Sequence, residues 1–281
     1  MTRAGQNVPE LVWDLGAELA EGPVWSAEAR RLWFVDIRGR RVHCYDPADG
    51  NRQSWNAPDA VGFVLPATDG ALVCGLRDGL HRFDPAAGTF RRLVEVEPDR
   101  PQNRLNDGFV APDGSVWFGS MDDSEATCSG ALYSWRDHIL ERHDDGYGVT
   151  NGPALSPCGS VLYHNDTLAR RVYAFDHKDG VLTNRRLFAE VLDGYPDGLA
   201  VMRRASSTSD CSGAGAWAVS FRRARACPIW TCRFRPSRRS LSEATTCAIS
   251  IARRPGLAVR RRAIHSPGWG GCSACAWRPP A

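Results

Sequence analysis

From Leu11 to Val201 short apolar runs alternate with polar turns, and the alternation repeats. The turn triplets Thr68-Asp69-Gly70, Pro112-Asp113-Gly114 and Pro157-Cys158-Gly159 stand 44 and 45 residues apart. Each feeds a run rich in β-branched or aromatic residues: Ala71-Leu72-Val73-Cys74, Val116-Trp117-Phe118 and Val161-Leu162-Tyr163. A turn followed by such a run predicts a hairpin. A second turn type alternates with the first: Tyr45-Asp46-Pro47 with Gly50, Phe83-Asp84-Pro85 with Gly88, and Phe175-Asp176 with Gly180. Each follows a further strand, such as Arg41–Tyr45 or Arg171–Phe175. Helical periodicity is scarce. Four short strands per period of roughly 45 residues predict an all-β fold of propeller type. A β-sandwich is the competing reading, but it requires no fixed period.

Polar residues recur where the repeats open. Glu21-Gly22-Pro23, Asn106-Asp107-Gly108, Asn151-Gly152-Pro153 and Asp197-Gly198-Leu199 place polar side chains at 21, 106, 151 and 197. Matching positions of successive blades converge on the channel of a propeller, so Glu21, Asn151 and Asp197 are expected to meet there. Two carboxylates and an amide carbonyl make an all-oxygen set suited to a hard divalent cation. The plainer reading is that each side chain satisfies its own turn, but three at matching places weigh against it. Arg104 and Asn106 are two residues apart, so on extended backbone they share a face. Together they offer forked donors and an amide that both donates and accepts, which suits a polyhydroxylated ligand. Capping of loop amides is the alternative for that pair.

These motifs in combination resemble the gluconolactonase/regucalcin-like sugar lactonases. The resemblance runs from about residue 15 to residue 201. It rests on Ala20-Glu21-Gly22-Pro23-Val24-Trp25, Arg104-Leu105-Asn106-Asp107-Gly108, Gly119-Ser120-Met121, Gly130-Ala131-Leu132-Tyr133, Thr150-Asn151-Gly152 and Pro196-Asp197-Gly198-Leu199. It implies a six-bladed propeller with one divalent metal in the channel, of which Ca, Mg, Mn, Zn and Fe are all candidates. It also implies Glu21, Asn151 and Asp197 as metal ligands, Arg104 and Asn106 as substrate-binding residues, and a small-molecule sugar lactone as partner. Asp197 is the residue expected to orient or deprotonate the attacking water. Some members carry a carboxylate just after the Gly-Ser-Met turn. That place falls nearest Ser124 here, with Asp122, Asp123 and Glu125 around it, and no role is carried over to it. A calcium-binding propeller without catalysis is the alternative function.

Charge divides the chain at Val201. The net charge of +3 combines −10 over residues 1–201 with +13 over residues 202–281. The last stretch holds 15 Arg, no Lys, and only Asp210 and Glu243 as acids, together with six of the ten cysteines. The chain therefore reads as propeller blades over 11–201 and an aberrant Arg-rich tail over 202–281. Arg, Ala, Pro, Ser, Cys and Trp enrichment is what GC-rich coding DNA yields when read out of frame. Restoring one G after the Val201 codon lets Met202-Arg203-Arg204-Ala205 be read as GAT-GCG-GAG-GGC, or Asp-Ala-Glu-Gly, the continuation that the resemblance calls for. Near the other end, His265 to Cys275 can be read to contain Gly-Gly-Leu-Phe. A frameshift is thus the expected origin of the tail, and a poorly ordered tail its expected consequence. The rival is a genuine basic segment binding nucleic-acid phosphates through runs such as Arg260-Arg261-Arg262. Cys272-Ser273-Ala274-Cys275 has half a zinc-site spacing and lacks a second pair at a suitable distance. Nucleic acid is accordingly not the expected partner. No run of about 20 apolar residues is present, and Met1–Glu10 has no apolar segment of signal type. The expectation is a cytoplasmic protein.

Overall fold

The computed structural model describes residues 11–192, 194–201 and, as backbone, 217–222. Among these residues every regular element is a strand. Four sheets follow one another, each a four-stranded antiparallel meander in chain order. The first holds β1 (Ala20–Ser26), β2 (Arg31–Asp36), β3 (Arg41–Tyr45) and β4 (Arg52–Asn56). The second holds β5 (Val61–Pro66), β6 (Leu72–Leu76), β7 (Gly79–Asp84) and β8 (Thr89–Glu95). The third holds β9 (Asn103–Val110), β10 (Val116–Asp122), β11 (Gly130–Arg136) and β12 (Ile139–Tyr147). The fourth holds β13 (Thr150–Leu155), β14 (Val161–Asp166), β15 (Arg171–Lys178) and β16 (Val181–Glu190). A fifth sheet begins with β17 (Tyr195–Val201) paired antiparallel to β18 (Trp217–Arg222). These are propeller blades. The expected blade count of six concerns residues outside those described.

Both predicted turn types are present. Gly70, Gly114 and Gly159 close the first type at φ of 78°, 85° and 75°, and Gly50, Gly88 and Gly180 close the second at 74°, 66° and 84°. Such positive φ is open to glycine at little steric cost. The predicted break at Val201 is followed, inside the Arg-rich tail, by the strand β18, whose sequence Trp217-Ala218-Val219-Ser220-Phe221-Arg222 alternates large apolar with small or polar residues. The rest of 202–281 lies outside the described residues.

Strand alternation decides how the blades pack. Successive side chains point to opposite faces, so each middle blade feeds two interfaces. On β5, where a register shift between Val61 and Phe63 resets the alternation, Val61 and Val64 join Trp33, Val42 and Cys44 of the first blade, while Phe63 and Leu65 join Leu105 and Phe118 of the third. On β10, Phe118 serves that second interface and Trp117 the next, with Leu162 and Phe175 of the fourth blade. Burial on both faces explains why these strands read as nearly continuous apolar runs. The innermost strands β1, β5, β9, β13 and β17 lie side by side around the channel.

Candidate active site

Each innermost strand is irregular near its channel end. The ladder register shifts between Glu21 and Val24, Val61 and Phe63, Asn151 and Ala154, and Pro196 and Leu199; beside β9 it shifts between Phe118 and Ser120. A bulge bends its strand and re-aims a side chain. The outcome is convergence. Glu21 from β1, Asn106 and Asp107 from β9, Asn151 from β13 and Asp197 from β17 line one cavity of about 710 Å³. Gly62 of β5 also lines it. A Cβ at Gly62 would lie 2.3 Å from the Leu105 carbonyl oxygen and 2.7 Å from that of Asn106, so only glycine lets β5 press against the strand that carries Asn106.

The polar side chains form one directed chain. Arg104 Nη1 donates to Asn106 Oδ1 at 2.6 Å. Asn106 Nδ2 donates to the Thr150 carbonyl at 2.6 Å and to Asn151 Oδ1 at 3.0 Å. Asn151 Nδ2 donates to Thr167 Oγ1 at 2.8 Å, and that hydroxyl donates to the Pro196 carbonyl at 2.8 Å. Asn165 Nδ2 donates to the Asp197 carbonyl at 2.5 Å. The strand ends of the fourth blade therefore grip the backbone that carries Asp197.

Arg104 stands behind Asn106, outside the lining of the cavity, and is 6% exposed. Its Nε donates to Asp123 Oδ1 at 2.7 Å, and Arg77 Nη2 donates to the other oxygen of the same carboxylate at 2.6 Å. Burial pushes the Asp123 carboxyl up, but the hydrogen bonds from Arg77 and Arg104 hold it below the usual carboxylate range. Arg104 is pulled down by burial, against the pull of Asp123. The expected neighbours Arg104 and Asn106 do share a face and touch.

Two residues here escaped the sequence reading. Asp123 is the carboxylate after the Gly-Ser-Met turn that meets Arg104. Met121 pairs with Arg104 in the β9–β10 ladder and Asp123 follows two residues on, a register that the linear sequence does not display. Asp107 stood in a quoted motif without a role. Its Oδ2 accepts from the Gly152 N–H at 2.7 Å and its Oδ1 from the Gly108 N–H at 2.8 Å. Burial, aided by the charge of Asp197 and opposed by the two N–H donors, pushes its carboxyl up to about 6.

The donor set suits a hard cation. Glu21, Asn151 and Asp197 all reach the same cavity, and every candidate ligating atom is oxygen. Asn151 turns its nitrogen towards Thr167 and leaves Oδ1 on the side of Asn106. An amide oxygen carries two lone pairs, so acceptance from Asn106 leaves one for a metal. Among the described residues no group of three His, Cys, Asp or Glu gathers as a metal cluster; the oxygen donors on the cavity are two carboxylates and an amide. No helix among the described residues is long and apolar enough to cross a membrane.

Comparison with known proteins bears on the family and the fold. Residues 19–205 match the SMP-30/Gluconolactonase/LRE-like region. An L-arabinolactonase of Azospirillum brasilense is 36% identical over 210 residues, which cover 71% of this chain and 68% of the relative. A regucalcin of Xenopus laevis is 30% identical over 194 residues, 66% of this chain and 65% of the relative. The chain thus spans less than two thirds of that relative's length. A solved gluconolactonase of Xanthomonas campestris superposes with a TM-score of 0.63 at 29% identity, covering 75% of this chain and 72% of the other.

Proposed function

This chain belongs to the SMP-30/Gluconolactonase/LRE-like family, and on that premise we propose that it hydrolyses a sugar lactone with one divalent cation held by Glu21, Asn151 and Asp197. The observation that carries the proposal is the convergence of those three side chains, with Asn106, from four different sheets on a single cavity. When bound, the cation polarises the lactone carbonyl and stabilises the oxyanion. Asp197 takes the proton from the water that attacks the carbonyl carbon. The ring C–O bond then breaks, and the departing alkoxide recovers that proton, leaving the open-chain hydroxy acid. Asn106 faces the cavity and keeps one Oδ1 lone pair for a sugar hydroxyl. Arg104 serves the substrate from behind, by holding Asn106 and Asp123 at once. The substrate class follows the relatives, which include an L-arabinolactonase, a 6-deoxy-6-sulfogluconolactonase and a pentonolactonase.

The proposal extends to the tail: residues 202–281 are out of frame and replace the remaining blades. In support, the family match stops at 205 while the chain runs to 281. Resequencing the gene around the Val201 codon tests this directly. In the frame-restored chain, Glu21→Gln, Asn151→Ala and Asp197→Asn are each expected to abolish metal-dependent lactone turnover. Full turnover by any one of them, after chelation and metal add-back, removes that residue from the ligand set. Metal binding by the parent without turnover of any five- or six-carbon sugar lactone would favour the non-catalytic calcium-binding reading.

A further inference from the structure

We infer that Thr167 is a positioning residue for the cation site, fixing which atom of Asn151 faces the channel. The inference rests on the reading of Asn151 as a metal ligand and adds a residue that touches neither cation nor substrate. An amide side chain presents oxygen on one edge and N–H on the other, and only the oxygen can ligate. What settles the edge is the sense of the hydrogen-bond chain. A guanidinium can only donate, so Arg104 compels Asn106 to turn Oδ1 towards it. The Thr150 carbonyl can only accept, so it draws Asn106 Nδ2, which then faces Asn151 as a donor. At the other end the Pro196 carbonyl can only accept, so the single Thr167 proton is committed to it. Thr167 Oγ1 is left as an acceptor and takes the N–H of Asn151. With one edge of the amide held by Asn106 and the other by Thr167, Oδ1 is turned to the channel side.

Thr167 is itself firmly placed. It is 7% exposed. Its N–H donates to the Val149 carbonyl at 2.9 Å and its carbonyl accepts from the Arg170 N–H at 3.1 Å. Its hydroxyl also ties Asn151 to the peptide directly before Asp197, so two of the three proposed ligands share one anchor. Removing the hydroxyl leaves the Asn151 N–H and the Pro196 carbonyl unpartnered in a buried place, so the amide is held from the Asn106 edge alone and its oxygen is less firmly aimed.

The test is calcium and manganese titration of the full chain by calorimetry, which reads metal binding without catalysis. Thr167→Val should weaken affinity by about 10- to 100-fold, the usual cost of losing a residue that orients a metal ligand. Thr167→Ser, which keeps the hydroxyl, should stay within about threefold of the parent. A third arm separates orientation from general disturbance. Asn151→Asp supplies a carboxylate with oxygen on both edges, so in that background the Thr167→Val loss should shrink to under about threefold. An equal loss in both backgrounds, or undiminished binding by Thr167→Val, would overturn the inference while leaving Asn151 as a ligand. Absence of binding by the parent chain would instead remove the ligand reading on which it stands.

Discussion

Arg104 and Thr167 stand at opposite ends of one hydrogen-bond chain, and their replacement should separate cleanly in experiment. Arg104→Ala removes the donor to Asn106 Oδ1 and the partner of Asp123. Asn106 nevertheless stays oriented, because its Nδ2 is still drawn to the Thr150 carbonyl. Metal affinity should therefore be nearly unchanged while kcat/KM falls by about one to two powers of ten, the scale of one or two charge-assisted hydrogen bonds. A collapse of metal binding in Arg104→Ala would make Arg104 structural and end its substrate role. At this scale the sequence announced the channel side chains, because Glu21, Asn151 and Asp197 recur beside glycines at matching places. It did not announce their helpers. Arg77 acts across a blade interface, and Thr167 acts on a neighbouring strand of its own blade and on the next blade; contacts of that range leave no local spacing to read. Asp123 was masked by its company, since Asp122 and Glu125 flank it with the same charge.

Strands that pack on both faces put imidazoles into the interfaces as well as apolar groups. His164 of β14 is fully buried, with its ring 4.5 Å from that of Tyr147 and both nitrogens without a hydrogen-bond partner among the described residues. Burial, reinforced by the charge of Arg185, pulls it down to about 3. His43 of β3 is pulled down to about 4, chiefly by burial, although Asp36 works against it. Both rings are thus neutral in the folded chain, and below pH about 6.5 the unfolded chain takes up their protons first. Folding stability is accordingly expected to fall as pH drops from about 6.5 towards 4, by up to about 1.4 kcal/mol per pH unit for each ring. Urea unfolding at pH 7 and pH 5 checks this, with His164→Phe as the comparison. The acid loss should shrink in that variant, and an undiminished loss would show that His164 does not carry its share. The elements themselves were largely legible in the sequence, since the two glycine turns mark the hairpins directly. The bulges were not, because they depend on ladder partners on the next strand, as Asn151 and Ala154 show against Asn165 and Tyr163.

The molecule as a whole poses a question of closure. A propeller removes its open edges by joining the last blade to the first. The described residues supply four complete blades and two strands of a fifth. The 202–281 segment, which supplies β18 among the described residues, carries 15 Arg and two acids. Burying that charge without partners costs several kcal/mol per group against a domain stability of about 5–15 kcal/mol. The chain as written should therefore bind metal, because all three ligands precede Val201, yet turn over lactone poorly beside its frame-restored counterpart. A cooperative melt with equal turnover in both would show that 202–281 builds working blades. The most direct measurement is lactone ring opening by the frame-restored chain, followed as proton release, before chelation, after it, and after metal add-back. The account predicts turnover that chelation abolishes, that a divalent cation restores, and that Asp197→Asn never shows. Turnover that persists unchanged through chelation, or in Asp197→Asn, would contradict it.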